Sequence, residues 1–234
     1  MDEARWLTYK TPLRMLRFAK RRASERKLRL LECACCRMLD PALCLSEVAR
    51  TAVEVTERYV DGAASREELE AVSESARQSC QSNPAYLHWA SGGLRPTSSV
   101  EEMRLWVLLM KARAASATNR DDGEWDAQFA SDFPSWQLKG TAGKQIAAAL
   151  LRDLFGPLLF RAVSIDPGWL AWGEGRVPRL AQAIYEERCW EDLPVLADAL
   201  EDAGCDNQDI LSHLRGPGAH VRGCWVVDAI LGKE

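Results

Sequence analysis

Apolar residues in this chain return every three or four positions and almost never in alternation. Leu28, Leu31, Cys35 and Met38 keep that spacing, as do Leu45, Val48, Ala52, Val55 and Tyr59, then Leu69, Val72, Ala76 and Cys80. Such a period sets each group on one side of an α-helix, whereas a half-buried strand needs a period of two. No alternating apolar run exceeds a few residues, so the pattern predicts an all-α chain in which each helix buries one stripe.

Helix starts are marked by their chemistry. Thr11-Pro12, Asp40-Pro41 and Asn83-Pro84 each set a capping side chain before a proline, whose missing N–H costs nothing in a first turn. Ser65-Arg66-Glu67-Glu68 and Ser99-Val100-Glu101-Glu102 are capping boxes. The signals predict helices near 12–21, 25–39, 41–61, 66–80, 84–90, 100–115, 142–155, 177–189, 194–203, 207–214 and 223–231, with Gly204 and Gly216 as C-caps. Short joints, Asp40 alone and then Gly62 to Ser65, predict an antiparallel helical bundle over 1–115. An aromatic-bearing connecting segment follows at 116–140, and then a C-terminal cap of short helices at 141–234, where Asp166-Pro167-Gly168-Trp169 and Trp172-Gly173-Glu174-Gly175 read as turns carrying indoles. No repeat of 30 to 45 residues is present, which argues against a solenoid.

Among 234 residues, 47% are hydrophobic and 27% charged, a balance that excludes general disorder. No stretch reaches the roughly 18 apolar residues of a membrane span, and MDEARWLTYK lacks the apolar core of a secretory leader. The expectation is a cytoplasmic protein whose eight cysteines are reduced thiols. Its net charge of −4 hides a strong segregation. Arg5 to Arg37 holds 11 Lys or Arg against Glu25 and Glu32, leaving −13 on the remainder; Glu186 to Asp209 holds nine acids against Arg188. Segregation of this kind favours an electrostatic partner at one end, although solvated helix faces would give the same pattern.

Three groups of residues carry possible chemistry. Lys10, Arg14, Arg17 and Arg21 share one stripe of the first helix, and Arg26, Arg29 and Arg37 form a second outward set on the next. Arginine forks on such a face suit carboxylates or phosphates. Trp125, Phe129, Phe133 and Trp136, spaced four, four and three, would line one side of a short helix, as a flap over the core or a ridge for a partner. Among the thiols, Cys35 falls on the apolar stripe while Cys33 and Cys36 turn toward the arginine side, which would favour thiolate. Cys205, His213, His220 and Cys224 put two sulfur and two imidazole ligands within twenty residues, a zinc inventory without the usual close cysteine pair. Cys224 precedes a helix whose free amides would lower a thiol pKa, so a cysteine nucleophile with His213 or His220 as base is a further reading. Gly140-Thr141-Ala142-Gly143-Lys144 lacks the order of a phosphate-binding loop.

The stretches RKLRLLECACCRMLD (26–40), LLRDLFG (150–156), LAQAIYEERCWEDLPVLADALEDAGC (180–205) and HLRGPGAHVRGCWVVDAILGKE (213–234) resemble an uncharacterised family of small bacterial proteins, expanded as paralogues in planctomycete-type genomes. The resemblance implies no activity and no catalytic residue. Val195 to Gly204 is also similar to a short repeat-companion module of such genomes, which implies interaction more than catalysis. Taken together, the sequence favours a non-catalytic scaffold or adaptor that binds a protein partner through its basic N-terminal face and aromatic segment. A nucleic-acid binder using the same cations, and a zinc- or thiol-dependent protein centred on Cys205 to Cys224, are the alternatives; no small-molecule substrate is identifiable.

Overall fold

The structure is a computed structural model that describes residues 1–43, 47–81 and 141–233. Ten α-helices and no strand occur among those residues. They are α1 (Glu3–Thr8), α2 (Pro12–Lys20), α3 (Glu25–Leu43), α4 (Glu47–Val60), α5 (Arg66–Gln81), α6 (Thr141–Phe155), α7 (Pro167–Glu187), α8 (Leu193–Asp202), α9 (Gln208–Arg215) and α10 (Trp225–Leu231), with a single 3-10 turn at Trp190–Asp192. The expected all-α class holds. No described helix is long and apolar enough to cross a membrane.

The chain divides into two compact units, one of Met1–Lys27 with Gly140–Glu234 and the other of Leu28–Lys139. This partition differs from the expected boundaries at 115 and 141, because α1 and α2 belong with the C-terminal helices. In the first unit α2 packs on α6, and α7, α8, α9 and α10 enclose one apolar core of Val177, Ile184, Leu196, Leu200, Ile210, Leu214, Trp225 and Val227. Trp6, fully buried, meets Phe18 and Phe160 in an aromatic cluster beside it. Arg152 of α6 ties down the opening segment by donating to the carbonyls of Trp6 and Tyr9. Arg26 and Lys27 both reach the buried carboxylate of Asp228 at 2.6 Å, and Lys27 also donates to the Gly223 carbonyl. In the second unit α4 and α5 pair across the Gly62 turn, burying Ala52, Val55, Leu69 and Ala76.

Local signals placed most helix ends well. Ser65 Oγ accepts the Glu68 N–H, as a capping box requires. Three features differ. Helix α3 runs through Asp40-Pro41 to Leu43, because a proline in the last turn of a 19-residue helix forfeits one backbone bond without ending the element. A short helix from Pro167 under an Asp166 cap precedes the expected one within α7, and left-handed backbone at Gly173, Glu174 and Gly175 separates the two, so the turn expected at Trp172 to Gly175 is present and the helix expected near 177 begins after it. Gly216 closes α9 in an extended conformation, whereas Gly204 does adopt the left-handed one. The six-residue α1, capped by Asp2, is too short to show a period. The expected helices at 84–90 and 100–115, and the ring-bearing positions Trp125, Phe129, Phe133 and Trp136, lie outside the described residues.

Candidate metal centre

Helix α6 is built from small and branched apolar residues, and Ala147, Ala148, Leu150, Leu151, Leu154 and Phe155 are all buried along it. Asp153 breaks this pattern: it is a carboxylate on a buried side, only 2% exposed. An ionised group there has to be met by charge or hydrogen bonds. Three later segments do so. His213 projects from the last turn of α9, His220 from the loop that follows, and Cys224 caps the start of α10.

The donor atoms converge. His220 Nδ1 lies 2.6 Å and His213 Nε2 3.1 Å from the same Asp153 oxygen, Oδ1. His213 Nε2 is also 3.3 Å from Cys224 Sγ. The other carboxylate oxygen accepts the Val221 N–H at 2.9 Å, which fixes the loop between the two imidazoles. The two imidazole rings meet edge to face at 5.0 Å, and the Trp225 indole packs on His213. One ligand atom from each of Asp153, His213, His220 and Cys224 lies within 4.8 Å of the others. A zinc tetrahedron with bonds of about 2.0–2.3 Å has edges of roughly 3.3–3.8 Å, a range that these separations, from 2.6 Å to at most 4.8 Å, bracket.

No family model, curated protein or solved structure matches this chain. Its chemistry therefore has to be read from the geometry. A single ring nitrogen carries either one proton or one lone pair, so His213 Nε2 cannot fully serve both a carboxylate and a thiol. A cation between them removes the conflict, since all four atoms then point lone pairs at it. His220 Nε2 is buried and makes no hydrogen bond of ordinary geometry, yet the Gly216 carbonyl still draws that ring toward protonation.

Titration shifts describe the metal-free cluster. Burial alone would raise Asp153, but hydrogen bonds and charge from His213 and His220 outweigh it and lower its pKa. Burial pulls His220 down, and the bond and charge of Asp153 lift it above its usual value. Cys224 is pushed well up, first by burial and then by the Asp153 charge, despite the amides of Val226 and Val227. The helix start therefore does not make a thiolate here, contrary to the sequence expectation: desolvation exceeds what a few amides return. His213 is not placed as the base of a nucleophile relay to Cys224. Such a relay needs the imidazole to contact thiol and carboxylate through opposite nitrogens, and His213 uses Nε2 for both. Cys224 is also fully buried.

Of the four ligands named from sequence, His213, His220 and Cys224 come together and Cys205 does not. Cys205 sits in the apolar core of the first unit, its thiol raised by burial. Asp153 takes its place, 60 residues upstream of His213. The available signal was a lone acid in AAALLRDLF, at a position where the helical pattern calls for an apolar residue.

The cationic face is only partly displayed. Lys10, Arg14, Arg17 and Arg21 are exposed, with Arg14 donating to the Tyr9 hydroxyl at 3.2 Å. The second set is engaged by the protein's own side chains. Arg26 binds Asp228 and Tyr185, Arg29 is buried with its guanidinium 5.8 Å from the Tyr59 ring, and Arg37 forks onto both oxygens of Glu57. Arg37 nonetheless keeps a side chain that is 39% exposed and Arg26 is half-buried, whereas the outward placement expected of Arg29 is corrected for a simple reason. Every residue from Lys27 to Ala34 is buried, so this part of α3 has no solvent side. Cys33 and Cys36 are buried as well, and Cys33 is raised by desolvation and the Glu57 charge instead of being activated by arginine. Cys35, expected on the apolar stripe, is half-buried.

Proposed function

We propose that this protein binds one zinc ion through Asp153, His213, His220 and Cys224, and that the metal holds the first unit together. The reading is carried by one observation: four atoms of zinc-ligating type, from α6, α9, the loop after it and the start of α10, lie within 4.8 Å of one another. Four ligands with little solvent access make a closed site, which is the structural form of zinc coordination; a catalytic site keeps a position open for water. His213 is the most accessible of the four, its side chain 18% exposed. The role is to cross-link segments that short helices alone hold weakly. A free thiol ligand also requires reducing surroundings, in keeping with the cytoplasmic setting expected from the sequence.

Metal analysis of protein refolded with zinc tests this directly. About one zinc per chain is expected, with a Tm higher than that of the chelated protein by about 5–15 °C, since saturating metal at ~100 times Kd contributes about 2.7 kcal/mol. Loading displaces the Cys224 proton, so apparent affinity should fall as pH falls. Protein that takes up no zinc and melts identically with and without chelator would refute the proposal.

A further inference from the structure

In the first unit, the arginines outside the opening helices are engaged by the protein itself where their contacts are on view. Arg26 is held by Asp228, Arg152 by the carbonyls of Trp6 and Tyr9, Arg161 by Glu3 and Asp209, and Arg215 by Asp198 and Glu201. Helix α2 is different. Arg14, Arg17 and the C-cap Arg21 follow at intervals of three and four, so they lie on one side of the helix axis, and Lys10 precedes the extended Thr11 cap. All four are exposed, and among the described residues none of them meets a carboxylate. The opposite side of α2 is the buried one, with Met15, Leu16 and Ala19 packed into the unit. The helix is thus anchored by its apolar side and presents Arg14, Arg17 and the C-cap Arg21, with Lys10 just before its start. Leu7, three residues before Lys10, is 54% exposed and is the most exposed large apolar side chain described.

We infer that this face of α2 docks an acidic segment of a partner protein, independently of the zinc proposal. Charge complementarity sets the sign of the partner, and three arginines among four cations favour carboxylates that can accept two parallel N–H bonds. Extent sets its size. Arg14 to Arg21 covers about two helical turns, roughly 10 Å, close to one Debye length of about 8 Å at physiological salt. An acidic peptide fits within that reach. A duplex, with one charge per ~1.7 Å, extends beyond the stripe, and the chain outside its basic stretch carries a net −13 that disfavours a polyanion. The exposed leucine supplies an apolar contact of the kind that converts electrostatic steering into residence.

The experiment is fluorescence anisotropy with a labelled peptide of Glu and Leu at helical spacing, run beside a single-stranded and a double-stranded oligonucleotide. The peptide is expected to bind, with affinity falling by about tenfold as salt rises from ~50 to ~200 mM. The variant R14E/R17E/R21E should weaken it at least ~10-fold while zinc content and helical circular dichroism stay unchanged. R66E/R176E/R179E changes net charge equally at exposed arginines elsewhere and should stay within about twofold of the parent. Should the reversed charges disturb folding, R14Q/R17Q/R21Q gives the same reading. A peptide that fails to bind, equal losses in the two triple variants, or tighter binding of either oligonucleotide would overturn the inference.

Discussion

Asp153 lies between Arg152, which reaches out to two backbone carbonyls, and Leu154, which is fully buried. Its neighbours show why a carboxylate is there: one oxygen takes both imidazoles and the other takes the loop amide. Replacing it by Asn keeps the size but removes the charge and one acceptor. Asp153→Asn should therefore lower zinc affinity by at least about 10- to 100-fold, the scale seen when a metal site loses only a partner behind its direct ligands. Cys205→Ser should leave stoichiometry at one, because that thiol packs among apolar side chains away from the cluster. Competition with a colorimetric chelator separates the two variants, and zinc lost in Cys205→Ser but kept in Asp153→Asn would reverse the ligand assignment. This is also where the sequence ran short. Two imidazoles and a sulfur between His213 and Cys224 could be seen by counting, but the fourth ligand depends on α6 packing against α10, which spacing along the chain does not encode.

Helices were legible wherever their cause was local. Ser65 to Glu68 marks a true start because a cap acts within one turn, and Thr11-Pro12 marks one through the proline of its first turn, the Thr11 side chain making no cap bond. Helix α3 was misread for the complementary reason, since burial on all sides is a property of what surrounds a helix. The junction after α6 is set by packing in the same way. Gly156 holds φ at +46°, and a Cβ there would sit 2.6 Å from the indole of Trp225, the residue that packs on His213. Gly156→Ala has to move that ring, and is expected to destabilise the protein by about 2–4 kcal/mol from strain and overpacking combined. Gly62, at φ +73° with nothing within 4 Å, provides the control. Gly62→Ala meets only the left-handed backbone cost of about 1–2 kcal/mol. Urea midpoints rank the pair, and equal losses would mean that the Trp225 contact contributes nothing.

At the scale of the whole molecule, the division into Met1–Lys27 with Gly140–Glu234 and Leu28–Lys139 could not be read from composition, because it joins segments more than a hundred residues apart. What binds the opening helices to the C-terminal ones is Arg152 on two carbonyls, Trp6 among aromatic rings, and Asp228 shared by Arg26 and Lys27. All four candidate ligands belong to this same unit, so metal loading should act on it selectively. Lys27 also donates to the Gly223 carbonyl, next to Cys224, and Asp228 lies four residues after that ligand, so restraint of Cys224 extends to the start of α3. Amide hydrogen exchange with and without chelator gives the test. Removing metal should cost protection in α6, α9 and α10 and at the first turn of α3, while amides of α4 and α5 keep their rates, since opening energies follow cooperative units instead of the chain as a whole. Protection lost evenly through α4 and α5 as well would show that the metal governs global unfolding, and unchanged protection in α6, α9 and α10 would show that these four side chains form a hydrogen-bonded cluster with no structural metal.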